Sequence, residues 1–234
     1  MVEIQDPRFS DYESSVELAL DSEIQALEQI ASSLSKIERV AQALERVLVA
    51  TEVEALQAPS VAKALETTEF DPNAYDYIPI DVREFLLILI ELDALLAADS
   101  DYSHGQFRYR PVRFLEVGCG PGRNLFIVRK GGLLLWSAAE GIDIVGPYVD
   151  AARETYNLGG SVWQDDARTF DYSTYDVIFS RRPFSDSVEQ TEFENNLVNK
   201  MKIGSYLIAP LNETHDRDSR LVGLDDLQVI WKRI

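Results

Sequence analysis

Apolar positions change their period once along this chain. From Ile24 they fall at Ile24, Leu27, Ile30, Leu34, Ile37, Val40, Leu44, Val47 and Leu48. Steps of three and four up to Val47 put one face of a helix against a neighbour. Asp21 or Ser22 suits the start of that helix, and Pro59 follows its end. Residues 12–70 contain no glycine and one proline, Pro59, as helical composition requires. Residues 71–80, Asp-Pro-Asn-Ala-Tyr-Asp-Tyr-Ile-Pro-Ile, form a turn-rich link. Asp81 then caps a predicted helix over Val82 to Ala98, with Phe85, Leu86, Leu89, Leu92 and Leu96 facing inward. Residues 99–111 are mostly polar and end in Pro111.

After Pro111 short β-rich runs alternate with helical stretches. The runs are Arg113–Val117, Gly141–Val145, Tyr175–Ser180, Ser205–Ala209 and Gln228–Ile234. This alternation predicts βαβ units: an α/β fold with a doubly wound, mostly parallel sheet covered by helices on both faces. The expected organisation is an N-terminal helical extension over 1–74, serving as a cover or for dimerisation, and a second domain over 75–234. The helical stripe admits two partners, its own domain or a second copy of the chain in a homodimer.

Composition narrows the picture. The chain has 234 residues, 46% of them hydrophobic, enough for a sizeable core. The longest apolar run, Phe85 to Ile90, falls short of the ~18 residues a membrane span needs. The start, Met1-Val-Glu-Ile-Gln-Asp, lacks the basic and apolar regions of a secretory signal. One cysteine, Cys119, precludes an intramolecular disulfide and a cysteine-based zinc site, and the cytoplasm is the expected compartment. With 40 acidic and 22 basic residues the formal charge is −18, which argues against a nucleic-acid partner. His104 and His215 are over 100 residues apart in polar segments, so no metal site is expected.

The strongest chemical signal is Arg113-Phe-Leu-Glu-Val-Gly-Cys-Gly-Pro-Gly-Arg-Asn-Leu125. A strand runs into Gly118, Gly120 and Gly122 and then into a helix beginning near Arg123. Glycines allow positive φ and close backbone approach, and a helix N-terminus offers free N–H groups. Dinucleotide enzymes space these glycines G-x-G-x-x-G, which disfavours a nicotinamide oxidoreductase here. The spacing in this chain is G-x-G-x-G, with Glu116 two residues before the first glycine and Asn124 just after the last.

That stretch resembles the first motif of class I, Rossmann-like methyltransferases, which bind S-adenosylmethionine (SAM). The resemblance covers about residues 75–234 and implies SAM as the cofactor. Glu116, Gly118, Cys119, Gly120, Gly122 and Asn124 would then surround it, Cys119 as a small side chain in the loop. Glu140-Gly-Ile-Asp-Ile144 looks like the family's second strand end. Asp143, with Ile144 beside it, lies 23 positions after Gly120, near the ~20 expected for a ribose-binding acid. In Val162-Trp-Gln-Asp-Asp-Ala-Arg168 the pair Asp166-Ala167 is similar to the family's adenine contact, with Asp165 as the near alternative.

The fourth segment, Tyr175 to Phe184, ends beside the transferred methyl group in the family, and Ser180 is its strand-end residue here. Where amino-group methyltransferases of this class often carry Asn/Asp-Pro-Pro-Tyr/Phe, this chain has Arg181-Arg182-Pro183-Phe184. Arginine has donors and no acceptor, so it cannot orient an amine. Arg181 and Arg182 either hold an acidic group on a substrate or pair with Asp186 or Glu189. Tyr77 and Phe184 join them as candidate substrate contacts, and Tyr75, Asp76, Tyr77 and His104 as candidate bases. The implied activity is methyl transfer to an unidentified acceptor, a small molecule before a protein side chain or RNA. The alternative is a non-catalytic SAM-binding fold that acts as a partner or scaffold.

Overall fold

The computed structural model describes residues 38, 39, 41–75, 77–103, 108–225 and 228–234. They belong to two compact units, Met1–Val47 and Leu48–Ile234. In the first unit residues 38, 39 and 41–47 are helical. The stripe from Ile24 to Ile37, Val40 and the cap at Asp21 or Ser22 lie outside the described residues. The second unit opens with helical residues 48–57.

Pro59 does more than follow a helix end, because it also opens helix α1, Pro59–Thr67. Its fixed φ and missing N–H suit the first helical position, where no donor is needed. Helix α2 spans Val82–Ala98, and the Asp81 carboxylate accepts from the Glu84 N–H at 2.9 Å. Phe85, Leu89, Leu92 and Leu96 are fully buried, while Leu86 is only partly so.

Then follow β1 Val112–Val117, α3 Arg123–Gly131, β2 Trp136–Asp143, α4 Gly146–Thr155, β3 Val162–Gln164 and β4 Val177–Ser180. Helix α5 Ser187–Lys200 and strands β5 Tyr206–Ile208, β6 Leu221–Gly223 and β7 Ile230–Arg233 complete the unit. The seven strands lie in the order β3-β2-β1-β4-β5-β7-β6. The first five are mutually parallel, and β7 runs antiparallel to both β5 and β6.

Strand side chains alternate between two cores. Phe114, Val177, Phe179, Tyr206 and Ile208 pack with α2, α3 and α4 on one face. Leu115, Ile178 and Leu207 pack with α5 on the other. Burial on both faces is why these strands read as continuous apolar runs.

Most strand ends shift by one or two residues, and two strands depart further from the sequence expectation. The second strand starts at Trp136, and Ile144 and Val145 already belong to the loop after it. Its first half, Trp-Ser-Ala-Ala-Glu, carries no apolar run; pairing with β1, from Val112 opposite Trp136, makes it a strand. Strand β6 has one buried residue, Leu221, and takes its extended form from β7.

Strand β1 has β2 on one side and β4 on the other. The chain leaves β1 for α3 on one face and leaves β4 for α5 on the opposite face. The carboxyl ends of β1 and β4 therefore flank the point where the winding reverses, and α/β sheets place ligands there.

Candidate cofactor site

A cleft of about 210 Å³ opens at that point. Glu116, Gly118, Asn124, Asp143, Ile144, Asp165, Asp166 and Ala167 line it. So do Tyr75, Tyr77, Ile78, Pro79, Tyr148, Arg181, Arg182, Pro183, Phe184 and Leu211. Candidates drawn from four separate sequence segments thus meet in one place.

The three glycines have positive φ (71°, 51° and 86°), but different surroundings. A side chain on Gly118 would meet nothing within 4 Å. A Cβ on Gly120 would lie 2.2 Å from the Tyr77 ring, and one on Gly122 would strike Leu158 and Ala152. Of the three, Gly118 lines the cleft; Gly120 admits Tyr77, and Gly122 lets the loop pack on α4. Cys119 is buried behind the loop, in the space left by Gly141. Burial pushes its thiol well above the ordinary range.

Asp143 builds the loop as well as lining the cleft. Its two oxygens accept from the N–H groups of Gly120 and Val145, each at 2.8 Å. Burial raises its pKa against the pull of those two bonds. Glu116 is buried near the end of β1, and one oxygen accepts from the Asn124 amide at 2.8 Å. Its other oxygen and the Asn124 carbonyl oxygen have no hydrogen-bond partner among the described residues. Burial pushes Glu116 up to about 8, although the Asn124 bond and the Arg123 charge oppose it.

Asp165 and Asp166 differ in what occupies them. Asp166 receives the Arg168 backbone N–H, Nε and Nη2, each at 2.9 Å, and Arg168 holds its carboxyl below the usual range. Asp165 is exposed, and one of its oxygens accepts from the Asp166 N–H at 2.8 Å. Arg168 also pairs with Glu189 at 2.6 Å and with Asp71 at 2.9 Å.

Ser180 is buried beside Val117 and does not line the cleft. Arg181 donates from Nη1 to the carbonyls of Ile78, at 3.0 Å, and Pro79, at 2.8 Å. Arg182, with φ of 46°, is ion-paired to Glu213 and lies 5.9 Å from the Tyr75 ring. The expected pairings with Asp186 and Glu189 do not form: Asp186 caps α5, and Glu189 pairs with Arg168. Phe184 is buried against Phe193 and bridges to Ala74.

The sequence did not expose one buried network. Glu52, at 4% exposure, receives the Tyr77 hydroxyl at 2.5 Å and ion-pairs with Arg123 at 3.2 Å. Arg123, at 2% exposure, also donates to the Ile80 carbonyl. Burial raises the Glu52 pKa and, with the Glu52 charge, keeps the Tyr77 phenol protonated. The one signal for Glu52 was its place four residues after the buried Leu48, on the same helix face.

Tyr75 is exposed at the cleft mouth, whereas Asp76 and His104 lie outside the described residues. His215 is not in an open polar loop. It is buried in a short 3-10 turn against Trp231, and burial lowers its pKa. Among the described residues no cluster of His, Cys, Asp and Glu suits a metal, and no helix is long and apolar enough to cross a membrane.

No protein-family model and no curated protein matches this sequence. Solved structures do match. The plantazolicin methyltransferase BpumL, in complex with SAH, is 20% identical over 74% of this chain and 61% of its own, with a TM-score of 0.41. An RNA methyltransferase from Salinibacter ruber, in complex with S-adenosyl-L-homocysteine, is 18% identical over 67% of this chain and 92% of its own, with a TM-score of 0.44. StiE O-MT is 20% identical over 55% of this chain and 43% of its own, with a TM-score of 0.38. This chain spans less than two thirds of the BpumL and StiE chains. The five parallel strands in the order 3-2-1-4-5, with helices on both faces and an antiparallel hairpin completing one edge, make the second unit a Rossmann-like, doubly wound α/β fold.

Proposed function

We propose that this protein is a SAM-dependent methyltransferase acting on a small-molecule acceptor. The observation that carries the reading is the meeting of Glu116, Gly118, Asn124, Asp143 and Asp165 in one cleft at the switch point of the sheet. Their chemistry fits the cofactor. The unpartnered oxygens of Glu116 and Asn124 suit its ammonium group. Asp143 has lone pairs left for a ribose diol after its two backbone bonds. Asp165 keeps an oxygen for the adenine amine, whereas Asp166 is occupied by Arg168. Ile144 and Ala167 complete the walls of that half.

SAM supplies, when bound, a methyl group on a sulfonium whose leaving group is a neutral thioether. The protein's part is to orient the acceptor and exclude water; orientation can contribute up to ~7–11 kcal/mol in well-aligned reactions. The acceptor end is formed by Arg182, Pro183 and Phe184, with the exposed apolar residues Tyr75, Ile78 and Leu211 at its mouth. An apolar rim of this kind suits a small organic acceptor. The acidity of the chain disfavours RNA or DNA. Residues 1–74 are the proposed helical extension and 75–234 the cofactor domain; Glu52 and Tyr77, which are hydrogen-bonded, both lie in the compact unit Leu48–Ile234. The cytoplasm is the proposed compartment.

Isothermal titration with S-adenosylhomocysteine is the test: micromolar binding is expected, and no binding by the wild-type protein overturns the reading. A second reading, SAM binding without turnover, is favoured by the engagement of Arg181 and Arg182 with protein groups. Transfer of a radiolabelled methyl group to small-molecule acceptor pools decides against it.

A further inference from the structure

Residues 77–80 form one wall of the cleft, and its middle, Ile78 and Pro79, has little side-chain burial to hold it. Ile80 is buried, but Ile78 is exposed and Pro79 is exposed beside it. Proline fixes φ, has no N–H, and keeps the residue before it extended. The carbonyls of this stretch therefore need donors from elsewhere. Two guanidinium groups supply them. Arg181 donates to Ile78 and Pro79, and Arg123 donates to Ile80. At the other end the Tyr77 ring rests on Gly120, and its hydroxyl is bound to Glu52.

We infer that Arg181 is a positioning residue, which fixes the Tyr77–Ile80 wall against the glycine loop and so retains the cofactor, instead of clamping an acidic substrate. The inference rests on the SAM reading above. Arg181 follows β4 directly, so the carboxyl end of a central strand, paired on both sides, anchors the tether. Its Nη1 is shared between two successive carbonyls, a position that leaves the wall tied to the end of the strand beside the acceptor site. Glu52 and the Tyr148 ring hold the start of the stretch at Tyr77, and Arg181 holds the part after it.

The test compares wild type, Arg181→Ala and Arg181→Lys in two measurements. The first, without ligand, is chymotrypsin cleavage after Tyr77, with the cut identified by mass. The second is affinity for S-adenosylhomocysteine. The Ala variant is expected to be cut faster after Tyr77 and to bind about tenfold more weakly, the factor that loss of one charge-assisted hydrogen bond gives. The Lys variant, still cationic but lacking the planar fork, is expected between the two. Cleavage unchanged in both variants overturns the tether. Faster cleavage with unchanged affinity overturns the role in cofactor retention. If wild type binds no S-adenosylhomocysteine, the SAM reading and the retention role fall together; the ligand-free cleavage rates then show whether the tether itself is real.

Discussion

Replacing Glu116 with glutamine removes a buried titratable group while keeping its shape and its bond to Asn124. The native carboxyl is 2% exposed and its pKa is raised from 4.5 to about 8. The folded protein therefore holds a proton that the unfolded chain releases above 4.5. Stability contributed by this group is fully present below 4.5 and is lost as pH rises through 8. At about 1.4 kcal/mol per pKa unit the whole loss is about 5 kcal/mol. At pH 7 some 3 kcal/mol of it has gone. Glutamine does not titrate, so its stability lacks this slope. Urea denaturation of both proteins at pH 5, 6, 7 and 8 measures the difference. Its growth in favour of the variant is expected to be about 3–4 kcal/mol across that range. His215 also titrates abnormally, but it does so in both proteins and cancels, whereas the Asp143 charge, which helps to raise Glu116, is part of the effect measured. Parallel stability profiles would refute the reasoning, since they require Glu116 to be ionised at no cost in the fold. A ligand ammonium beside Glu116 favours its charged form, so wild type is also expected to release a proton on binding S-adenosylhomocysteine. Titration heats that depend on the buffer's ionisation enthalpy detect it, and the variant should lack it.

Three further outcomes follow from the geometry. Gly120→Ala is expected to expel the Tyr77 ring and speed chymotrypsin cleavage after Tyr77, whereas Gly118→Ala, strained at its φ of 71° but with open space at its Cβ, should cost about 1 kcal/mol of stability and raise that rate much less. Arg123→Met leaves Glu52 buried without its cation and is expected to cost about 3–5 kcal/mol in urea denaturation. Adding Glu52→Gln should recover part of that loss; an unchanged single variant would mean the pair is already solvated. Asp165→Asn is expected to weaken S-adenosylhomocysteine binding, measured by titration calorimetry, by about tenfold through loss of a charged acceptor. Asp166→Asn should act mainly on stability, because its partner is Arg168, and equal affinity losses in the two would count against this division.

The sequence was informative wherever a local rule acts on neighbouring residues. Helix α2 begins and ends where the cap at Asp81 and the apolar spacing put it, Val82–Ala98. The glycine loop, the strand before it and the helix after it are set by backbone requirements that only glycine meets at positive φ. The order of the later acids, Asp143 and then Asp165 and Asp166, was visible as spacing. Strand β2 was misplaced because Trp136–Glu140 has no pattern of its own and is extended only through its partner β1.

What the tertiary structure alone decided is which groups are free and which are occupied. Asp165 and Asp166 are adjacent and chemically identical, yet Arg168 occupies one of them. In the sequence Arg181 and Arg182 could equally clamp a substrate or pair with Asp186 or Glu189, but each has a protein partner far away in the chain, at Ile78, Pro79 and Glu213. Glu52 and Arg123, 71 positions apart, form a buried pair under Tyr77. The sequence determined the loop and the fold because both rest on local backbone geometry and on periodic burial. It did not determine the state of the cleft, because hydrogen bonding and desolvation depend on groups that only folding brings together.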